Sequence, residues 1–197
     1  GQFLLARAFL ALSTLGMGFV VVDGLNGALV PSDAALLAAV FILSQAVIGF
    51  ALGMVGNFFG WRVVVITGGV LIVLGMVGAT FAQSVMSYIG VFVVLGGANA
   101  MTVIGDPNMS IEMASPDKTG LYLGTTSTLL APFFIAGPLV AGALEPTVGF
   151  ASIFVSAAVL ALVGLVLAWL ITEPRKQSLS PEESEAPIIA GRPGTQP

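Results

Sequence analysis

Charged residues are so sparse in this chain that they cut it into long, wholly uncharged runs. Nothing between Arg7 and Asp23 is charged, and Asp33 to Arg62 encloses a second clean stretch. The 43 residues between Arg62 and Asp106 form a third, and two more runs join Lys118 to Glu145 and Glu145 to Glu173. A helix needs about 20 apolar residues to cross a bilayer, so the third run has room for two crossings. Only 8% of the 197 residues are charged and 57% are hydrophobic, with a mean hydropathy of +1.05. A soluble domain carries about a quarter charged residues and could not hide this much apolar surface from water. Disordered chains are polar and charge-rich, so disorder is excluded for the bulk of the chain. The absence of Cys and His removes thiol chemistry, Cys/His zinc sites and His-based triads, and no metal or cofactor is expected. A net charge of −4 with six basic residues argues against a nucleic-acid partner. The chain reads as an all-α integral membrane protein and not as an enzyme.

Splitting the long run at the polar stretch Ala82-Gln83-Ser84-Val85-Met86-Ser87-Tyr88 gives six expected helices, at about 2–22, 33–56, 62–82, 87–114, 117–143 and 148–172. Their junctions carry helix-end chemistry. Pro31-Ser32-Asp33 and Ser115-Pro116-Asp117 each offer a Ser N-cap and an acidic first turn. Glu145-Pro146-Thr147 breaks the fifth helix and offers Thr147 as a cap for the sixth. Residues 1–172 therefore form one transmembrane domain. From Glu173 to Pro197 the chain turns rich in Pro, Glu and Ser, which predicts a disordered polar tail. The opening Gly1-Gln2-Phe3 has no initiator Met, and no Ala-x-Ala-like site follows the first run. That run is read as a true span rather than a signal peptide, and the chain as a piece of something longer.

Six crossings place Arg7, Arg62, Lys118, Arg175, Lys176 and Arg192 on or nearest one side, leaving Asp23, Asp33 and Glu145 opposite. By the positive-inside rule both termini are cytoplasmic, as for a cell (inner) membrane protein. Glycine is plentiful at 25 residues, and Gly49, Gly53, Gly56 and Gly60 recur on one helix face. Small residues so spaced let helices approach closely, so this face is expected to be an interhelical seam. Pro132 and Gly137-Pro138, with Gly142, mark a bent fifth helix.

These segments carry a family likeness. Gly53-Met54-Val55-Gly56-Asn57-Phe58-Phe59-Gly60-Trp61-Arg62 resembles the cytoplasmic signature of the major facilitator superfamily, Gly-x-x-x-Asp-x-x-Gly-Arg-Arg/Lys. Gly53, Gly60 and Arg62 match, Asn57 replaces the Asp, and Trp61 replaces a basic residue. Ser115-Pro116-Asp117-Lys118-Thr119-Gly120 is similar to the family's Pro-Glu/Asp-Arg-x-Gly loop, and Gly137-Pro138 with Gly142 to its Gly-Pro-x-x-x-Gly turn. The departures in the first signature favour the family's C-terminal half. The resemblance covers residues 1 to about 176 and implies half of a twelve-helix carrier, built as two three-helix inverted repeats. No residue-level repeat between 1–82 and 87–172 supports that symmetry directly. The resemblance also implies a cytoplasmic gate latch at Gly53, Asn57, Gly60 and Arg62, in which Arg62 bonds carbonyls or an acidic group across the interface. The partner would be a missing N-terminal six-helix half or a second copy.

Ionisable groups at membrane depth are functional candidates by default. Asp106 is the foremost, with two readings: an N-cap before Pro107 that restarts a broken helix, or a carboxylate for proton coupling or a cationic solute. Glu112 is read as solvated near the surface. Arg7, about one turn into the first helix, is expected to snorkel to the interface, with pairing to Asp106 as the alternative. Gln45 and Asn99 either glue helices or line the transport path, while Ser44 and Thr125 to Thr128 are read as structural. The expected function is secondary transport of a small solute by alternating access, with proton coupling. The alternative is a non-transporting membrane scaffold of the same fold.

Overall fold

The computed structural model describes residues 2–114 and 116–170, and all of its regular structure is helical. The expected tail at 173–197, the Ser115 cap and the end of the last helix at Thr172 lie outside the described residues. Five helical stretches are long and apolar enough to cross a membrane: Gln2–Leu25, Pro31–Phe59, Trp61–Thr80, Val85–Glu112 and Thr119–Trp169.

The first stretch joins α1 (Gln2–Ser13) to α2 (Met17–Leu25) through a 3-10 turn at Thr14–Gly16. Ser13 and Thr14 feed that turn by bonding the carbonyls of Leu10 and Ala11, both at 2.6 Å. α3 (Pro31–Phe59) starts two residues earlier than a Ser32 cap allows. Pro31 stands at the first helical position, where its missing N–H costs nothing, and the Asp33 carboxylate accepts the Val30 N–H at 2.9 Å. Gly60 then turns the chain into α4 (Trp61–Thr80) with φ 93° and ψ 153°, a region that favours glycine. The expected break after α4 appears at Phe81 to Ser84. Ser84 caps α5 (Val85–Ala100), its hydroxyl accepting the Ser87 N–H while Ser87 Oγ accepts the Ser84 N–H. A π-helical turn, Met101–Gly105, leads into α6 (Asp106–Glu112).

α7 (Thr119–Trp169) has 51 residues, about 75 Å at 1.5 Å per residue and far longer than a bilayer is thick. One residue inside it leaves helical geometry, Gly149, at φ 73° and ψ 165°. Its contacts with the first stretch show what happens there. Gly137 lies against Leu15 and Gly142 against Phe19, so the arm before Gly149 runs parallel to the first stretch. Gly164 lies against Leu10, Ala157 against Gly16 and Phe150 against Phe19, so the arm after it runs antiparallel. The chain reverses at Gly149. The break is therefore not at Pro146, and Thr147 does not cap the second arm. Its hydroxyl instead donates to the Leu144 carbonyl at 2.8 Å.

Small residues set the helix spacing. Gly164 presses on Leu10 and the Ala6 carbonyl, Gly69 on Leu165, and Gly96 on the Phe41 backbone. The core so formed includes Ala6, Leu10, Ile72, Met76, Leu95, Phe154, Ala157 and Ala161, all nearly inaccessible. On the face without basic residues, the Tyr88 hydroxyl donates to Asp23 at 2.8 Å and ties the end of α2 to the start of α5. By contrast α3 buries only Leu37, Gly49, Leu52 and Gly56, and the first arm of α7 only Thr126, Leu130, Gly137 and Ala141. Their remaining surface is largely apolar and exposed.

Candidate functional site

The π turn at Met101–Gly105 lies where Pro107 removes a backbone N–H from the helix. Such turns mark a widened helix and recur at functional sites. One turn on, Asn108 Nδ2 donates to the Ile104 carbonyl at 2.7 Å. Gly68 leaves room for Met101, and Gly105 sits against Val64. The helix is not broken here. Gly105 keeps right-handed helical geometry and Asp106 forms no cap, so the N-cap reading of Asp106 is corrected.

Asp106 points instead at Arg7, whose Nη2 donates to its Oδ2. Arg7 Nη1 also lies 3.1 Å from Met101 Sδ. The guanidinium is 1% exposed and the carboxylate 14%, which overturns the snorkelling expected of Arg7. The reason is the packing of α1: Ala6 and Leu10, on either side of Arg7, are wholly buried against the rest of the bundle. A cation buried there must be neutralised within the protein. Arg7 Nε and Asp106 Oδ1 are buried with no hydrogen-bond partner among the described residues.

Beside this pair lies a cavity of about 400 Å³ between the π turn with α6 and the first arm of α7. Thr102, Asp106 and Ser110 line one wall, and Thr126, Ser127 and Phe134 contribute to the other. Thr126 and Ser127, expected to be merely structural, thus face Asp106 across an open space. Thr102 and Ser110 were not among the expected residues. Their four-residue spacing either side of Asp106 puts the three on one helix face, a signal that the sequence does carry.

Gln45 and Asn99 are brought together, Asn99 Nδ2 donating to Gln45 Oε1 at 3.2 Å. They join α3 to α5 and are not among the residues lining the cavity. Replacing Asn99 alone by Leu strands the Gln45 amide, whereas Gln45→Leu with Asn99→Leu removes both needs. We expect the single variants to lower the melting temperature and the double variant to recover most of it. The coupling should be about 0.6 kcal/mol, typical of interhelical polar pairs in lipid; strictly additive shifts would rule out the pairing.

Within this chain the four glycines share no single neighbour, and the seam expected by resemblance would be with a helix of the other half. Gly49 packs on Ala100 and Ile104, Gly56 lies under the ring of Trp61, Gly60 forms the turn, and Gly53 has nothing within 4 Å of a would-be side chain. The four serve different neighbours because the chain turns away at Gly60. Pro138 lies in the exposed surface of the first α7 arm, whose helical geometry continues through it. In the signature segment Asn57 is exposed. Arg62 Nη2 donates to the Trp169 carbonyl at the end of α7, where a cation complements the helix dipole. Arg62→Gln is expected to speed hydrogen exchange in the final turn of α7 and to leave α5 unchanged. Equal exchange in both forms would discount the clasp.

The sequence matches the family model of the Major Facilitator Superfamily over residues 3–195. The chain belongs to the major facilitator superfamily. Its helices are thus those of a multi-pass membrane transporter family, not of an enzyme. A curated major facilitator-type relative is a multi-drug resistance efflux pump PmrA homolog from Lactococcus lactis subsp. lactis (strain IL1403). It is 28% identical over 173 residues, which are 87% of this chain and 41% of the relative. The chain therefore spans less than half the length of the relative it matches.

Proposed function

We propose that this chain is the C-terminal six-helix half of a secondary transporter that exports a small solute by alternating access. Its partner is an N-terminal six-helix half. Both termini face the cytoplasm, and the host bilayer is the cell (inner) membrane. The observation that carries the reading is the cavity beside Asp106, set within the apolar span Val85–Glu112 and walled by hydroxyls. Carriers place solute sites near the bilayer midplane on irregular helices, and the π turn supplies the irregularity. The reversal at Gly149 supports six crossings, and the largely exposed α3 and first α7 arm supply surface for another half. The open face at Gly53 and the degraded signature fit that arrangement. The relative's description as an efflux pump homolog supports export.

Proton coupling through Asp106 would have to exchange its ion pair with Arg7 for a proton. We assign coupling, where it occurs, to the other half.

Alternating access is testable without knowing the solute, because this chain has no cysteine of its own. A cysteine at Ser127, which lines the cavity, should react with membrane-impermeant maleimide from either face of the membrane in the full-length protein. The accessible face should switch with energisation. Labelling from a single face under every condition would fit a scaffold and sink the transport reading.

A further inference from the structure

We infer that the cavity beside Asp106 takes an uncharged amphipathic solute, with an apolar body and a few hydroxyl, carbonyl or amide groups, and not an organic cation. This rests on the transport reading for what the solute is doing there, but its chemistry follows from the side chains alone.

Asp106 is the sole charged residue among those lining the cavity, so a cation entering it has one anion to meet. That anion is already engaged. Its Oδ2 accepts from Arg7, and its Oδ1, although without a partner, is buried rather than presented. Arg7 cannot give way. A guanidinium stays protonated in proteins, this one is 1% exposed, and its other amino group lies against Met101 Sδ. Drawing Asp106 toward a solute cation would strand Arg7 as an unpaired buried charge. Leaving the pair intact would set two cations against one carboxylate in surroundings of low dielectric, where like charges repel strongly. An anion fares no better against this wall, because no basic side chain among the described residues lines the cavity.

What the walls do offer suits a neutral molecule. Thr102, Ser110, Thr126 and Ser127 each carry a hydroxyl that can donate or accept, and Leu130 and Phe134 add apolar area. A volume of about 400 Å³ falls within the range of small-molecule sites. The ion pair then works as a fixed, electrically neutral wall.

The test uses the purified full-length protein in nanodiscs and two polycyclic probes, uncharged Nile red and the permanent cation ethidium. Ala131→Phe fills the cavity from an exposed position of α7, and Ser127→Phe repeats the filling independently should that variant misfold. Nile red should bind saturably, weaken at least tenfold in the filled variant, and weaken about two- to tenfold in Ser127→Ala, the range for one lost hydrogen bond. Ethidium should show no binding that responds to filling. Ethidium binding that is lost on filling would overturn the proposal, as would Nile red binding indifferent to it. Transport in proteoliposomes keeps the two readings apart. Nile red that binds in the cavity yet never crosses sinks transport and leaves the solute class standing, whereas ethidium pumped through the cavity does the reverse.

Discussion

Asp106→Leu is expected to be the most damaging single substitution in this chain, because it leaves the Arg7 guanidinium buried with no counter-charge. Removing one partner of a buried ion pair costs about 3–5 kcal/mol, a large fraction of the stability of an ordinary domain. The converse change, Arg7→Met, should be milder. A carboxyl group can shed its charge by taking a proton, and a guanidinium cannot. Combining Arg7→Met with Asp106→Leu removes both charges and fills similar volume with apolar groups, a replacement that is often neutral or stabilising. The expected order of melting temperatures for the full-length protein is therefore wild type and double variant highest, Arg7→Met lower, and Asp106→Leu lowest. A double variant as unstable as the sum of the two singles would show that the pair does not hold α1 to α6. Asp106→Asn belongs with the damaging changes, since it too leaves Arg7 uncompensated, although Asn caps helices about as well as Asp.

Gly96→Ala should be the second large effect, and it is a matter of one methyl group. A Cβ at Gly96 would lie 2.5 Å from the Phe41 carbonyl oxygen, 2.9 Å from Ser44 Cβ and 3.2 Å from the Gln45 backbone nitrogen. Backbone atoms cannot rotate aside, so α3 and α5 must separate. Overpacking of this kind costs about 1–3 kcal/mol. The separation also pulls on the Gln45–Asn99 bond less than a turn away. Gly53→Ala provides the contrast within α3, for it meets nothing within 4 Å and should leave packing within this chain unchanged. Thermal unfolding of both variants, followed by size-exclusion of the fluorescently tagged protein, compares them directly. Equal melting temperatures would refute the close approach at Gly96.

The contrast between those glycines shows where sequence reading succeeds and where it stops. Uncharged runs fix where spans can lie, because a charge in hydrocarbon is costly wherever its partner is. The polar Gln83-Ser84 and Ser87 cluster marked a real break for the same local reason: Ser84 and Ser87 cap one another. Partnership is another matter. Gln45 and Asn99 lie 54 positions apart, and Arg7 and Asp106 99 apart. Nothing in either segment alone says which side chain it will meet. Arg7 near a helix start fits snorkelling equally well, until burial of Ala6 and Leu10 removes its route to water. The glycine face divides among neighbours for a related reason. Spacing reveals that four residues share a side, while the turn at Gly60 decides that they face different neighbours. At Glu145-Pro146-Thr147 the proline looked like the breaker, yet the reversal falls three residues later, where glycine alone accepts the required φ at no cost.

The π turn at Met101–Gly105 has a genetic consequence. A π turn closes its bonds over one more residue than an α turn, so this stretch holds one codon of slack. A π turn spreads one rotation over that extra residue, whereas each residue of an α-helix turns it by about 100°, so the two ends of Val85–Glu112 keep the phase of an uninterrupted helix. Upstream, Gly96 and Asn99 face α3; downstream, Asp106 faces Arg7 and the cavity. An in-frame loss of one codon within 101–105 would relax the turn to a regular helix and leave Asp106 facing Arg7, whereas the same loss between Val85 and Ala100 would swing Asp106 away by about 100°. Hydropathy, length and every signature segment would survive such a deletion almost untouched. The π turn is thus a place where this helix can lose a single triplet without turning Asp106 away from its partner.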